Sequence, residues 1–183
     1  LEKYSEGLMV SSACLGGEIP KKIQAGDIQA AEQAIEWFKR VFKDDFYLEL
    51  MRHKVTDPEQ NANRDVYPLQ EEVNQALIKL AEKHQVKLVC TNDSHFVDEE
   101  NAEAHDRLIC LSTGADLYSS HRMLYTKQEW FKTRAEMNEV FADIPQALEN
   151  TCELADKTEN YTIDHGPIMP NFEIPEDFGT EEG

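Results

Sequence analysis

Two polar residues, Asp93 and His95, follow a short apolar run and carry side chains that can bind a metal ion. The run at 88–90, Leu-Val-Cys, comes after a long amphipathic segment and is typical of a buried strand. Residues two apart in a strand face the same way, so both side chains would converge on one ion. Carboxylate oxygen and imidazole nitrogen suit Zn, Mn or Fe. A hydrogen-bonded pair at a strand end explains the same residues without metal, and both interpretations stay open at this point.

The segments that would position this pair alternate between strand and helix. Strands are predicted at 8–13, 46–50 and 87–91. The helices between them begin at Asp27 and Pro68, where apolar residues recur every three or four positions. This order predicts parallel strands with crossover helices, an α/β layer or barrel. Loops that follow the strands of such folds gather at one end of the sheet; the residues placed there are Cys14, Glu49, Asp93 and His95.

Two copies of one four-residue pattern occur close together in the second half of the chain. Thr126-x-x-Glu129 and Thr133-x-x-Glu136 both match the capping box, in which the threonine and the glutamate satisfy backbone N–H groups at a helix start. A last helix is predicted from Pro145. The sequence therefore predicts a helical segment over 126–160.

Composition limits the class of protein. The 183 residues carry 18 Lys and Arg against 36 Asp and Glu, a formal net charge of -18. Such a chain is a poor match for a self-sufficient nucleic-acid surface, which needs basic residues to contact phosphate. No apolar stretch approaches the length of a membrane span. The first residue is not Met, which predicts a segment of a longer polypeptide. The cysteines are widely spaced, which indicates a reducing compartment: Cys14, Cys90, Cys110 and Cys152.

Six blocks of the sequence, in order along nearly the whole chain, resemble the α subunits of bacterial DNA polymerase III. The resemblance is to the second half of their polymerase and histidinol phosphatase (PHP) domain and the lead-in to the palm. It implies a distorted (β/α)7 barrel, present in part over 1–125, a helical lead-in over 126–160 and an extended Pro-rich acidic connector over 161–183. The blocks are Leu-Glu-Lys-Tyr-Ser-Glu-Gly-Leu (1–8), Ser-Ala-Cys-Leu-Gly-Gly-Glu-Ile-Pro (12–20), Phe-Tyr-Leu-Glu-Leu-Met-Arg-His (46–53), Thr-Asn-Asp-Ser-His-Phe (91–96), Ala-Glu-Ala-His-Asp (102–106) and Phe-Ala-Asp-Ile-Pro-Gln-Ala-Leu-Glu-Asn-Thr (141–151).

The same resemblance implies three metal ligands in this chain: Cys14, Asp93 and His95. Intact family members hold up to three ions with nine residues, and the other six, including a His-x-His motif, precede this segment. No complete catalytic set is therefore expected here. Glu49 and His53 match a family block without being ligands, and we expect them beside the site or at its rim.

The implied cofactors are Zn or Mn in the intact PHP site and Mg in the palm of the parent. The implied activity of the parent is DNA-directed DNA synthesis, with metal-dependent 3′–5′ exonuclease action by the PHP site. Its implied partners are DNA, dNTPs, a sliding clamp and a proofreading subunit, in the cytoplasm and without membrane contact. The isolated segment is expected to be inactive and, because its sheet edge is open, to self-associate.

Two alternatives remain from the sequence. One is a stand-alone PHP phosphoesterase acting on a small phosphate ester; the connector and the block at 141–151 argue against it. The other is a structural PHP module without catalysis.

Overall fold

A parallel three-stranded sheet organises the protein, whose computed structural model describes residues 1–170. The strands are β1 (Val10–Ser11), β2 (Phe46–Leu50) and β3 (Lys87–Cys90), in the spatial order β1-β2-β3. Leu48 lies opposite Leu88 in the ladder between β2 and β3. The predicted α/β class with parallel strands is confirmed. That these strands are part of a distorted (β/α)7 barrel stays a prediction.

Helices connect the strands and cover the sheet. They are α1 (Glu18–Gln24), α2 (Ile28–Phe42), α3 (Val66–His84), α4 (Ala102–Thr113), α5 (Arg134–Val140) and α6 (Pro145–Asp156), with short 3-10 turns at Glu2–Tyr4, Lys43–Asp45 and Glu99–Asn101. Within residues 1–170, no helix combines the length and the apolar character that crossing a membrane requires.

The apolar core forms around β2, all five of whose residues are buried. A strand buried on both faces is typical of a parallel sheet covered by helices. Ile35 of α2, Leu77 of α3 and Phe141 after α5 are each at most 1% exposed in this core. Burial of an aliphatic or aromatic side chain of this size contributes about 1.5–3 kcal/mol. The predicted α2 begins after Asp27, whose carboxylate accepts a hydrogen bond from the Ala30 N–H.

Two predicted boundaries differ from the structure, and one helix lacks a prediction. The first strand covers only two of the predicted residues 8–13, because the backbone of Ala13 turns into the left-handed region (φ 60°). Helix α1 was not predicted. It begins directly after Gly17, where a Cβ atom would lie 2.1 Å from the carbonyl oxygen of Ser12, so only glycine fits. Helix α3 begins two residues earlier than predicted and has Pro68 in its first turn.

Helix α6 lies against β3 and covers the outer edge of this strand. The Asn150 side chain donates to the Leu88 carbonyl over 2.9 Å, and the Cys90 N–H donates to Thr151 Oγ1 over 3.1 Å. These bonds satisfy edge groups that would otherwise be free to pair with another strand.

The predicted domain boundary between 125 and 126 stays a prediction. Residues 161–170 are exposed without helix or strand, and the rest of the predicted connector lies outside the described residues.

Candidate metal-binding cavity

Two of the three predicted ligands, Cys14 and Asp93, line one cavity of about 210 Å³. Cys14 follows β1 and Asp93 follows β3, so both lie beyond the carboxyl ends of parallel strands, as the strand–helix order predicts. Cys14 is half-buried, and Asp93 is exposed. The fold thus brings together residues that are 79 positions apart in the sequence.

The third predicted ligand, His95, lies beside this cavity rather than in its wall. Its ring is 4.8 Å from the ring of Tyr125, which does line the cavity, and 5.6 Å from the ring of His105. His95 Nδ1 is 2.6 Å from the carbonyl oxygen of Asp93. Because a carbonyl only accepts hydrogen bonds, Nδ1 donates to it, which in the neutral ring leaves the lone pair on Nε2, 3.4 Å from the Tyr125 hydroxyl. A backbone hydrogen bond of this kind is what commonly orients a metal-binding histidine.

The geometric argument from strand periodicity is wrong. Strand β3 ends at Cys90, and Asp93 has a left-handed backbone (φ 45°), so the pair lies in a loop. In residues 1–170, no group of three His, Cys, Asp or Glu side chains is close enough to hold a metal ion. The donor types fit Zn or Mn. An ion at this cavity would need ligands in addition to those that the described residues bring together.

His53 and Glu49, predicted beside the site, have different surroundings. His53 is 4% exposed and lines the cavity. Its Nε2 donates to the Asn92 carbonyl over 2.8 Å and its Nδ1 accepts from the Gln70 side chain over 3.0 Å, so one neutral tautomer is fixed. Burial lowers the pKa of His53, which also favours the neutral ring. His53 therefore holds the loop that carries Asp93.

Glu49 acts within the sheet. Its carboxylate accepts hydrogen bonds from the hydroxyls of Ser11 and Thr91, one on each side of β2. Its backbone N–H donates to Ser12 Oγ over 2.9 Å. Glu49 does not line the 210 Å³ cavity, and its contacts connect β1 to the segment after β3.

The structure adds a residue that sequence reasoning missed, Glu129. The first Thr-x-x-Glu pattern predicts a helix start, yet no helix forms over 126–130, where residues 126–129 are buried and Trp130 is half-buried. Glu129 lines the cavity and is 3% exposed. Its Oε1 accepts from the backbone N–H and the hydroxyl of Thr126, over 3.0 and 2.6 Å. Its buried Oε2 has no hydrogen-bond partner among residues 1–170. The only sequence signal for this position was the capping pattern, which carries no information about a cavity.

Asn92 joins this buried segment to the loop of the predicted ligands. Its side-chain amide donates to the carbonyls of Gln128 and Trp130, over 3.0 and 2.6 Å. The His95 N–H donates to the Glu129 carbonyl over 2.7 Å. Phe96 and Trp130 form a parallel bridge. The segment 126–130 and the loop 92–96 are therefore held together by backbone and amide hydrogen bonds.

Comparison with family models gives one match. The model described as PHP domain matches residues 1–53. This range contains Cys14, Glu49 and His53 and ends before Asp93 and His95.

Comparison with curated proteins gives relatives along nearly the whole chain. The DNA polymerase III subunit alpha of Borreliella burgdorferi is 43% identical over 182 residues, which cover 98% of this chain and 15% of the relative. The protein of the same name from Campylobacter jejuni is 37% identical, and the match covers 99% of this chain and 15% of that relative. The protein of the same name from Caulobacter vibrioides is 35% identical, and the match covers 93% of this chain and 14% of that relative. The chain thus spans about 15% of the length of the curated relatives that it matches. The resemblance predicted from the six sequence blocks is confirmed.

Proposed function

We propose that this chain, which is homologous to a segment of bacterial DNA polymerase III α subunits that includes PHP-domain residues, contributes ligands to a divalent metal site in a replicative polymerase. The observation that carries the proposal is the placement of Cys14 and Asp93 on one cavity. The orientation of His95 by the Asp93 carbonyl adds support. The longer polypeptide would catalyse DNA-directed DNA synthesis, with the palm and its Mg outside this chain.

The proposed architecture is part of a (β/α)7 barrel over 1–125, a helical lead-in over 126–160 and an extended connector over 161–183. The parallel order of β1, β2 and β3 supports the barrel, since such strands recur around a closed sheet. The contacts of α6 with β3 mean that the proposed lead-in packs closely against the barrel part.

In the proposed site, Cys14 as thiolate, the Asp93 carboxylate and the Nε2 lone pair of His95 supply three donors for Zn or Mn. The remaining donors would come from the preceding part of the longer polypeptide. A bound divalent ion lowers the pKa of water and polarises phosphoryl oxygens, which suits 3′–5′ exonuclease or phosphoesterase chemistry. His53 holds the Asn92 carbonyl and thereby the backbone beside Asp93.

The proposed partners are DNA and dNTPs through the longer polypeptide, a sliding clamp and a proofreading subunit, in the cytoplasm. The net charge of -18 indicates that basic surfaces elsewhere in the polypeptide contact the DNA backbone.

The test uses the full-length polypeptide with Asp93→Ala and His95→Ala combined. We expect bound Zn or Mn, measured by elemental analysis after dialysis, to fall, and 3′–5′ degradation of a labelled primer to be lost. Primer extension should persist, because the palm is unchanged. Wild-type metal content together with wild-type degradation in the double variant would contradict the proposal.

A structural role without catalysis is the second candidate function. It is favoured by the hydrogen bonds of His53, Asn92 and Glu129, which hold the loop 92–96 without any metal. The same assay separates the candidates, since a structural module in wild-type form would bind no metal and degrade no primer. A stand-alone phosphoesterase is disfavoured, because the relatives that match this chain are about seven times its length.

A further inference from the structure

The cavity of about 210 Å³ that follows the strands has a mainly apolar wall. Its apolar and aromatic lining residues are Leu15, Met51, Val66, Met123, Leu124 and Tyr125. Tyr125 is half-buried and Met123 is 57% exposed, so a ligand can reach both side chains from solvent. The thioethers of Met51 and Met123 can make favourable contacts with an aromatic ring. A concave apolar surface with a few polar groups is typical of a site for an organic ligand.

The charges of the cavity wall disfavour a phosphate group inside it. The lining includes the carboxylates of Asp93 and Glu129, and among the described residues that form the wall there is no lysine or arginine. A cavity of about 150 Å³ is enough to hold a benzene ring, so about 210 Å³ accepts one flat ring system. The occupant that fits is therefore an uncharged, flat organic group.

The buried polar side chains of the wall are engaged with one another. The Gln70 side chain accepts from the His53 N–H over 2.7 Å and donates to His53 Nδ1 over 3.0 Å. The Thr126 hydroxyl donates to Glu129 Oε1 over 2.6 Å and accepts from the Gln128 N–H over 3.1 Å. A ring in this cavity is therefore held by stacking and apolar contact, and not by hydrogen bonds that distinguish one ring from another.

Tyr125 supplies the aromatic surface for such contact. Its backbone carbonyl accepts from the Asn63 N–H over 2.9 Å, which fixes the residue in place. The rings of His95 and His105 lie 4.8 and 5.1 Å from its ring but are inclined to it by 59° and 74°, so neither is stacked flat on it. Because His95 is one of the proposed metal ligands, a nucleotide whose base stacks on Tyr125 has its phosphate close to the proposed ligands.

We propose that this cavity binds the unpaired 3′-terminal nucleobase of a single-stranded DNA end, stacked on the Tyr125 ring. This inference rests on the proposed function, and it names the part of the substrate that the site takes beside the proposed metal ligands. Stacking tolerates every base, because each base has a π face. The site therefore accepts any terminal base and disfavours a paired end, whose terminal base is stacked in the duplex.

The experiment compares Tyr125→Ala with Tyr118→Ala in the full-length polypeptide. Tyr118 is the matched control, because it is 92% exposed and is not among the residues that line the cavity. The probes are two single-stranded oligodeoxynucleotides, one with a normal 3′ nucleotide and one with a 3′ abasic residue. Their Kd values are measured by fluorescence anisotropy in EDTA, which prevents degradation, and the ratio of the two values isolates the contribution of the terminal base.

We expect the abasic end to bind about fivefold or more weakly in wild type and in Tyr118→Ala, since an aromatic partner of a stacked base typically contributes that much affinity. In Tyr125→Ala the ratio of the two Kd values should fall to about one. A ratio in Tyr125→Ala equal to that of wild type overturns the inference. If this variant fails to fold by circular dichroism, Tyr125→Leu, which keeps apolar volume without the ring, replaces it with the same two outcomes.

Tyr125→Phe separates stacking from the contact of the Tyr125 hydroxyl with His95 Nε2, which are 3.4 Å apart. This variant keeps the ring and should keep the wild-type ratio; a ratio of about one would overturn the inference, because the hydroxyl would then be responsible. The degradation assay of the Asp93→Ala and His95→Ala double variant tests the proposed function separately. If that variant loses degradation while Tyr125→Ala keeps the wild-type ratio, only this inference fails; if it keeps degradation while Tyr125→Ala loses the ratio, only the proposed ligands fail.

Discussion

The two Thr-x-x-Glu segments have the same sequence pattern and different structures. At Thr133 and Glu136 the reciprocal capping box forms, and α5 begins there as predicted. At Thr126 and Glu129 the glutamate again accepts from the threonine, but no helix follows. The Thr126 hydroxyl accepts from the N–H two residues later, that of Gln128, instead of three residues later.

The backbone between the first pair explains the difference. Lys127 has a left-handed conformation (φ 65°), which a helical first residue cannot have. Residues 128–130 instead bond to Asn92 and pair with the segment at Phe96. Tertiary hydrogen bonds therefore determine whether a Thr-x-x-Glu pattern starts a helix. The buried copy places Glu129 in the wall of the cavity, and the exposed copy caps the start of α5.

Among the variants that test this comparison, Thr126→Ala is expected to lower the free energy of unfolding most. Thr126 is fully buried, and its loss leaves the Gln128 N–H and a lone pair of Glu129 without their partner. A buried group left unsatisfied costs about 1–3 kcal/mol, so we expect the free energy of unfolding to fall by about 2–3 kcal/mol. Urea unfolding of the 183-residue chain measures it. The control Thr126→Ser keeps the hydroxyl, so its free energy of unfolding should fall much less. Equal losses in the two variants would show that the methyl group, and not the hydrogen bonds, stabilises this segment.

Asn92→Ala should give the next largest effect, because it removes both amide bonds that hold the buried segment. We expect a loss of about 1–2 kcal/mol, since Asn92 Oδ1 is itself buried and has no hydrogen-bond partner in the part of the chain that the structure describes, so its removal offsets part of the cost. Asn61→Ala, at an exposed loop position, is the control. Hydrogen exchange at the Gln128 and Phe131 amides should also become faster than in the control. Unchanged exchange would mean that the bridge at Phe96 suffices to hold the segment.

Thr133→Ala tests the exposed copy. Loss of a threonine N-cap typically costs about 1 kcal/mol, and solvent can satisfy the groups that are released. The pKa of Glu136, which the Thr133 hydrogen bonds lower, should return towards its ordinary value in the variant. NMR titration of the Glu136 carboxyl measures this change. A stability loss as large as that of Thr126→Ala would mean that burial does not separate the two copies.

Sequence patterns predicted the helices and strands that are specified by residues within or next to the element itself. Asp27 and the apolar period after it specify α2, the aromatic run at 46–50 specifies β2, and Pro145 marks the start of α6. Helix α1 was missed because the residue before it, Gly17, has no capping side chain, and Pro20 lies within it, whereas the equally short α5 has a capping box. The cavity position of Glu129 could not be predicted, because it depends on contacts with Asn92 and His95 over more than 30 residues of sequence. Strand order predicted that Cys14 and Asp93 lie at one end of the sheet, where both line the cavity, but it also placed Glu49 and His95 there, and neither is among the residues that line it.

The last expected effect concerns the pH dependence that Lys132 contributes, a residue that lies between the two copies. Burial lowers its pKa to about 8, although nearby carboxylates, Glu129 first among them, favour the charged form. Between pH 8 and the ordinary value of 10.5, the unfolded chain therefore holds a proton that the folded chain has released, and the free energy of unfolding rises with pH over this window. Below pH 8 both states are protonated and this contribution is constant.

Lys132→Met should remove that rise while keeping the contact of the aliphatic chain with the Trp130 ring, whose centroid is 4.3 Å from Lys132 Nζ. The measurement is the urea midpoint of the 183-residue chain between pH 8 and 10.5, where other groups also titrate, so the difference from wild type is what matters. Lys79→Met, at an exposed position of α3, is the matched control and should keep the wild-type slope. Lys132 donates to the Gln128 carbonyl of the buried copy, and its charge also interacts with Glu136 at the start of α5. Identical slopes in wild type and Lys132→Met would mean that Lys132 stays protonated in the folded chain throughout this range.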